Sequence, residues 1–212
     1  MRAFDDRTRA DHAYLSAADQ CWWLTEYLRG RSHEPGTDSR LIGSLKSSPS
    51  RIAFDRQRSR GRRLAVGAVA KLVRGAIARE WAETATWIPI PPSRAFADVD
   101  HDQRMLPVLR LAFRDYDVDI RTILSQRQTM QPDHLCRRRS SVDALYGRLQ
   151  INWQTLAARP LRDRLVLVDD VITTGKHYRC CERRLREALP AATIMGLFVA
   201  RRVLSGRACR AP

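Results

Sequence analysis

Apolar residues recur along the chain at two different spacings. Between residues 64 and 77, apolar pairs return every four residues, which predicts an amphipathic helix with one face directed at a sheet. Short apolar runs, typical of buried strands, occupy residues 87–90, 164–168 and 194–200, and residues 118–124 are interpreted as a further strand. Because helical and strand patterns alternate from residue 64 onward, the sequence predicts an α/β fold with a mainly parallel twisted sheet flanked by helices.

The first 60 residues carry a different pattern. Ser16-Ala-Ala-Asp19 has the form of a helix capping box, and apolar residues then follow one helical face as far as Gly30. Residues 30–49 are interrupted by Gly, Ser and Pro, which is typical of a loop. The sequence therefore predicts a small helical N-terminal hood over residues 1–60 and an α/β core over residues 61–212.

Local signals predict three further elements. Asp100 has the position of a cap for a helix whose apolar residues run from Met105 to Phe113. Residues 149–153 indicate a hairpin or an edge strand. A last helix is predicted from Tyr178 to Leu189, where Pro190 ends it.

Length and composition restrict the class of protein. A chain of 212 residues with 44% hydrophobic residues is typical of one globular α/β domain with a small appendage. No apolar run approaches the length of a membrane span, and the N-terminus has no apolar signal core, so we expect a cytoplasmic protein without a membrane partner. The five cysteines form no C-x-x-C pair, which favours reduced thiols.

The chain is strongly basic, with a formal net charge of +15. Such a charge attracts nucleic acid or polyphosphate without sequence specificity. A solvated basic surface around a site for anionic ligands explains the charge equally well, and no recognisable nucleic-acid-binding motif is present. A nucleic-acid partner is therefore suggested by net charge alone.

One stretch carries the clearest chemical information. An apolar run from Arg164 to Val168 ends on two carboxylates, Asp169 and Asp170, and a Thr-Thr-Gly loop (residues 173–175) then leads into a segment with helical spacing. Free backbone N–H groups at the start of a helix, together with the helix dipole, form a site for a phosphate. The carboxylates would repel that phosphate, so we expect them to face hydroxyl groups or Mg²⁺ one sugar length away.

A phosphate, a diol and a metal in this order describe a ribose 5-phosphate. At this point the stretch resembles the signature of the type I phosphoribosyltransferases, which bind 5-phosphoribosyl-1-pyrophosphate (PRPP). An acidic strand end of the receiver type and a Walker B strand are alternatives, but neither needs Thr-Thr-Gly after the acids. The resemblance implies the type I phosphoribosyltransferase fold, and it assigns the 5-phosphate to Thr173, Thr174, Gly175, Lys176 and His177.

The likeness covers roughly 160 residues and points to the ComF-like (competence protein F-like) branch of the family. Segments that fall in the order of that branch are Leu41–Lys46, Ile88–Pro91, Gln126–Arg139 and the Thr-Thr-Gly loop. The Cys-rich zinc ribbon that often begins ComF-like proteins is missing from the chain.

The resemblance also implies roles for residues outside the Thr-Thr-Gly loop. Asp169 and Asp170 would bind the ribose hydroxyl groups directly or through Mg²⁺, as catalytic residues and metal ligands. The segment after the first strand holds pyrophosphate in the family, which assigns that ligand to Pro92, Ser93 and Arg94, with Lys46 as a further contact. A flexible basic loop closes over the reacting centre, which implies a lid at Gln126–Arg139, with catalytic Arg127 and the lid residues Arg137, Arg138 and Arg139.

Two residues depart from the family pattern. A small residue and then a Thr usually follow the glycine, whereas this chain has Lys176 and His177. Lys176 would add charge to the phosphate site. His177 replaces a hydroxyl group with an imidazole that donates only from one tautomer, and its alternative role is that of a solvent-facing residue in the first helical turn.

Two functions of different classes follow from the resemblance. The first is a phosphoribosyltransferase that uses PRPP or a ribonucleoside 5-monophosphate, releases pyrophosphate and transfers the sugar to an acceptor that the sequence does not identify. The second is a non-catalytic PRPP- or nucleotide-sensing module that acts through a partner in DNA uptake or bacterial defence. A homodimer and a DNA-binding protein stay open beside them. We expect Asp170, at the exposed end of its strand, to serve the ligand rather than the fold.

Overall fold

The computed structural model of the protein describes residues 1–28, 38–128 and 141–204. The strands in these ranges are β1 (Arg2–Ala3), β2 (Cys21–Leu28), β3 (Ala85–Pro89), β4 (Asp119–Ile120), β5 (Leu124–Gln126), β6 (Leu149–Ile151), β7 (Arg164–Ile172) and β8 (Thr193–Val203). The helices are α1 (Asp6–Arg9), α2 (Ser39–Leu45), α3 (Pro49–Ala53), α4 (Arg56–Ala76), α5 (Arg79–Glu83), α6 (Met105–Ala112), α7 (Val142–Tyr146), α8 (Trp153–Ala157) and α9 (Lys176–Ala188).

Within the described ranges, six strands form one sheet in the order β1-β2-β8-β7-β3-β4. The neighbours from β2 to β4 are parallel, and β1 at the edge runs antiparallel to β2. Strands β5 and β6 form a separate antiparallel pair. The predicted α/β architecture, a mainly parallel sheet flanked by helices, is therefore confirmed.

Helices cover both faces of the sheet. Along β7, Val166 and Val168 pack into the apolar cluster that includes α4 and α6, whereas Leu165 and Leu167 pack into the cluster that includes α9. A strand buried on both faces has apolar residues at every position. This explains why β7 reads as a continuous apolar run in the sequence.

The helix predicted after Ser16 is wrong, because residues 21–28 form strand β2 in the main sheet. Cys21 and Trp23 pack into the cluster on the α9 side, while Trp22 and Leu24 pack against the cluster on the α4 side. Apolar residues on both faces of a strand imitate the spacing of one helical face. The N-terminal segment is therefore partly strand, and the hood is not purely helical.

Helix α4 is longer than predicted and has a narrower buried stripe. It begins at Arg56, after Asp55 accepts a hydrogen bond from the backbone N–H of Arg58 at 3.0 Å, and it continues across residue 60. Its buried positions include Val69 and Val73. Leu64, which belongs to the predicted apolar stripe, is exposed.

Two smaller predictions need correction in their details. Asp100 does not cap α6: its carboxylate accepts a hydrogen bond from the backbone N–H of Ser50 at 3.0 Å, and the residue before the helix is Arg104. The strand predicted over residues 118–124 is divided into β4 and β5. The hairpin or edge strand predicted near residue 150 corresponds to β6, which pairs with β5.

Gly196, in the centre of β8, offers a test of how tightly β2 packs against the sheet. A Cβ at this position would lie 2.7 Å from Cys21 Sγ and 2.9 Å from a ring carbon of Tyr178. Gly196→Ala is therefore expected to lower the free energy of unfolding by about 1–3 kcal/mol through overpacking, measured by urea denaturation.

The matched control is Gly67→Ala in α4, where nothing lies within 4 Å of the new methyl group. Alanine is favoured over glycine inside a helix, so this variant should gain about 0.5–1 kcal/mol. Equal stability of the two variants would contradict the packing of β2 against Gly196.

Candidate functional site

The parallel arrangement of β3 and β7 brings two loops together at one edge of the sheet. Strands β3 and β7 are neighbours, so the segments that follow their carboxyl ends meet in a cleft of about 250 Å³. Such crevices are where ligands bind in open α/β sheets. The residues of the predicted site that line this carboxylate cleft are Lys46, Pro92, Ser93, Arg94, Asp169, Asp170, Thr173 and His177.

Asp170 is held by two cations inside the carboxylate cleft. Lys46 Nζ donates to its Oδ1 at 3.1 Å, and Arg104 Nη1 donates to its Oδ2 at 2.8 Å. The residue is only 6% exposed. The expected exposed carboxylate at a strand end is therefore wrong, since both oxygens of Asp170 already have protein partners.

Arg104 is a site residue that the sequence analysis missed. Its Nε pairs with Asp102 Oδ2 at 2.8 Å while its Nη1 holds Asp170. Asp102 is buried and also accepts from Arg62 Nη1 at 3.0 Å. The only signal in the sequence is an arginine directly before an apolar helical segment, which does not distinguish it from many other arginines in this chain.

Asp169 differs from Asp170 in its electrostatic environment. Its Oδ1 accepts a hydrogen bond from the backbone N–H of Asp170 at 2.8 Å. Burial and the neighbouring negative charge of Asp170 raise the pKa of Asp169 from its ordinary value of 3.8 to about 7. The pKa of Asp170 is instead lowered, because Lys46 and Arg104 outweigh the effect of burial. The two adjacent acids therefore have different protonation behaviour near neutral pH.

The Thr-Thr-Gly loop leads into helix α9 and is supported from outside. Gly175 has φ +82°, a left-handed conformation that favours glycine, and it is the residue before the helix. A strap of N-terminal residues (12–15) contacts the loop. The backbone N–H of Tyr14 donates to Thr174 O at 2.9 Å, and Leu15 packs against Gly175. Thr174, Gly175 and Lys176 do not line the carboxylate cleft.

His12 in this strap joins a titratable side chain to the loop. It is fully buried, and its Nδ1 donates to the carbonyl oxygen of Thr173. Burial lowers the pKa of His12 from 6.5, although the bond to Thr173 and the charge of Asp11 oppose the shift; the charge of Arg201 adds to the lowering.

Acidification is expected to weaken the fold through His12. Because the folded-state pKa lies below 6.5, the stability of the neutral form is fully present above that value and is lost as the pH falls through the folded-state pKa. Melting temperatures measured from pH 7.5 down to pH 5 should fall more steeply for the wild type than for His12→Gln. Parallel pH profiles for the two proteins would show that His12 does not carry the effect.

Arg127 is not brought to the carboxylate cleft. Its Nε donates to Gln150 Oε1 at 3.1 Å, and it lines a second cleft of about 600 Å³ together with Trp153 and Arg184. The predicted lid residues Arg137, Arg138 and Arg139 lie outside the described residues. Of the predicted lid, the structure describes residues 126–128, and Arg127 among them faces another part of the surface.

The carboxylates do not form a magnesium site by themselves. Among the residues that the structure describes, no three His, Cys, Asp or Glu side chains are grouped to hold a metal ion. Mg²⁺ prefers oxygen ligands in octahedral geometry, whereas both oxygens of Asp170 hold cationic side chains. The donor set as it stands does not fit a metal ion held by the protein.

Comparisons with known proteins add no family assignment. No family model matches the chain, and neither the curated proteins nor the solved structures contain a match. A search of the described helices found none that is long and apolar enough to cross a membrane.

Proposed function

We propose that this protein has the type I phosphoribosyltransferase fold, binds PRPP or a ribonucleoside 5-monophosphate, and transfers the phosphoribosyl group with release of pyrophosphate. The observation that carries the proposal is the carboxylate cleft, where Asp169 and Asp170 meet the Pro92–Arg94 segment and Thr173 at the carboxyl ends of two parallel strands. The cleft also has the position in which open α/β sheets bind nucleotides.

The 5-phosphate would bind at the start of helix α9. Gly175 precedes a helix of 13 residues, whose first N–H groups and dipole favour an anion. Thr173, Thr174, Lys176 and His177 would supply further donors. The strap contact at Gly175 holds the loop in a fixed conformation, which lowers the entropy that binding would otherwise cost.

The sugar and the leaving group would lie on opposite sides of Asp170. Transfer passes through a ribosyl cation, so the protein must hold the phosphates, stabilise the positive charge and exclude water. Asp169 and Asp170 would face the ribose hydroxyl groups. Pro92, Ser93, Arg94 and Lys46 would contact the pyrophosphate. Mg²⁺ would accompany the ligand, bound mainly by oxygens of PRPP itself.

A sensing module without catalysis is the second candidate. It is favoured by the ion pairs of Asp170, which leave neither of its oxygens free in the structure, and by the departure at Lys176 and His177 from the family pattern. Such a module would bind the same ligands and pass the signal to a partner in DNA uptake or bacterial defence.

Ligand binding tests both candidates together. A ligand that binds only the folded state stabilises it, by about 2.7 kcal/mol at a concentration one hundred times its Kd. PRPP with Mg²⁺, or a ribonucleoside 5-monophosphate, is therefore expected to raise the melting temperature. If neither ligand moves the transition of the folded protein at about 1 mM, the site assignment is wrong.

Product analysis then separates the enzyme from the sensor. The protein is incubated with PRPP, Mg²⁺ and a panel of nucleobases, and mass spectrometry detects any ribonucleotide together with released pyrophosphate. A product that requires the protein supports the enzyme. Ligand binding without any product across the panel supports the sensor.

A further inference from the structure

All three lysine and arginine residues that line the carboxylate cleft, within the described part of the chain, are already paired with carboxylates. Lys46 and Arg104 hold Asp170, and Arg94 Nη1 lies 3.1 Å from Asp98 Oδ2. An anion that enters the cleft must therefore compete with these carboxylates for its cations. The cleft is lined by positive charges, but its structure does not offer them directly to a ligand.

Arg104 and Lys46 differ in how easily each can break its ion pair with Asp170. Arg104 is 19% exposed in its side chain and stays fixed through Nε to Asp102, so only its Nη end can change partner. The Lys46 side chain is 41% exposed, and its Nζ pairs with Asp170. A guanidinium has five donors, which allows Arg104 to keep Asp102 while it binds a phosphate oxygen.

Removing both cations from Asp170 leaves a buried carboxylate without a counter-charge, which costs free energy. A carboxylate that is 6% exposed loses stability when its charge has no partner. Hydroxyl groups donate hydrogen bonds to carboxylates and can take the place of the cations. An anion without hydroxyl donors would therefore leave the Asp170 carboxylate without a partner. A ligand that carries a diol beside its phosphates would give Arg104 and Lys46 phosphate oxygens to bind and would give Asp170 hydroxyl groups to accept from.

We propose that Asp170 gates the carboxylate cleft by retaining Arg104 and Lys46 until a ligand supplies both phosphate oxygens and hydroxyl donors. This inference rests on the proposed function and adds a selection rule to it. Phosphorylated sugars with a free diol can release Arg104 and Lys46 from Asp170 and bind in the cleft, whereas simple polyphosphates cannot. Arg104 is then the residue that moves from the carboxylate to the ligand.

The gate makes an unusual prediction for Asp170→Asn. An asparagine keeps the shape but loses the charge that retains the two cations, so Arg104 and Lys46 become available to an anion. Inorganic pyrophosphate, titrated calorimetrically in EDTA, should bind Asp170→Asn at least about tenfold more tightly than the wild type, an effect within the range of a charge-pair change. The double variant Asp170→Asn/Arg104→Gln should lose most of that gain.

The control for net charge is Asp115→Asn. Asp115 is 56% exposed in its side chain and pairs with Arg74 outside the cleft, so this variant changes the charge equally and should alter the affinity for pyrophosphate by less than about twofold. Equal or weaker pyrophosphate binding by Asp170→Asn overturns the gate, and so does an equal gain in Asp115→Asn.

The same titrations distinguish the gate from the proposed function. If the wild type binds PRPP and Asp170→Asn gains nothing for pyrophosphate, the gate fails and the function stands. If Asp170→Asn gains pyrophosphate affinity while no protein binds PRPP or a ribonucleoside monophosphate, the gate stands and the function fails. Should Asp170→Asn not fold, Arg104→Gln decides the matter, because the gate requires it to weaken PRPP binding by at least about tenfold and unchanged binding overturns it.

Discussion

Asp170→Asn is expected to slow phosphoribosyl transfer by roughly a hundredfold, corresponding to a loss of about 3 kcal/mol of transition-state stabilisation. The substitution removes a negative charge that would face the ribosyl cation. The measurement is the rate of pyrophosphate release with PRPP and the acceptor found in the product screen. A sensor has no turnover to lose, and would instead lose the ligand dependence of its partner binding.

The fold should survive this substitution better than the burial of Asp170 alone suggests. Arg104 keeps its ion pair with Asp102, and the 41% exposed side chain of Lys46 can return to solvent. Asp115→Asn again provides the control, with unchanged turnover expected. Full activity in Asp170→Asn would remove Asp170 from the catalytic residues.

Asp119→Ala is expected to lower the free energy of unfolding by about 3–5 kcal/mol, because it leaves a buried guanidinium without its counter-charge. Asp119 is 1% exposed and accepts from Thr86 Oγ1 and Arg121 Nε, both at 2.8 Å, and from Arg159. Arg121 is 5% exposed. Urea denaturation at pH 7 measures the effect.

The control for Asp119 lies two residues earlier. Asp117 makes an ion pair with Arg162 at 2.9 Å, but its side chain is 81% exposed. Asp117→Ala should therefore cost less than about 1 kcal/mol. If the two variants lower the free energy of unfolding by similar amounts, the burial of Asp119 does not explain how much its ion pairs stabilise the fold.

The pH dependence of this cluster follows from the same contacts. Burial alone would raise the pKa of Asp119, but hydrogen bonds from Arg121, Thr86 and Arg159 outweigh burial and lower the pKa. A lowered pKa gives stability that is present above the ordinary value of 3.8 and is lost as the pH falls through the folded-state value. The stability difference between wild type and Asp119→Ala should accordingly narrow in strong acid.

The sequence predicted those parts of the fold in which consecutive elements follow one another along the chain. The run from Arg164 to Ile172, the Thr-Thr-Gly loop and helix α9 follow one another along the chain, so their order alone indicates the structure. Strand β2 could not be recognised in this way. Its partner β8 begins at Thr193, and the spacing of Trp22 and Trp23 fits a helix as well as a strand.

The sequence predicted which residues of β7 and of the segment after β3 come together, but it missed Arg104 and misplaced Arg127. Asp169 and Asp170 lie near the carboxyl end of β7, Arg94 lies in the segment that follows β3, and all three line the carboxylate cleft. Arg104 reaches the cleft only because the segment after β3 returns to it before α6 begins. Arg127 follows β5, and the antiparallel pairing of β5 with β6 places it at the second cleft instead.

The pairing of β2 with β8 has a consequence for synthesis on the ribosome. Residues 21–28 are made first among the parallel strands, and their partner ends at Val203. At about 5–20 residues per second, the interval between the two is on the order of ten seconds or more. Throughout that time Trp22 and Trp23 belong to an apolar strand with an unpaired edge, which is prone to aggregation. The nascent chain is therefore expected to need a chaperone over its N-terminal segment until translation is nearly complete.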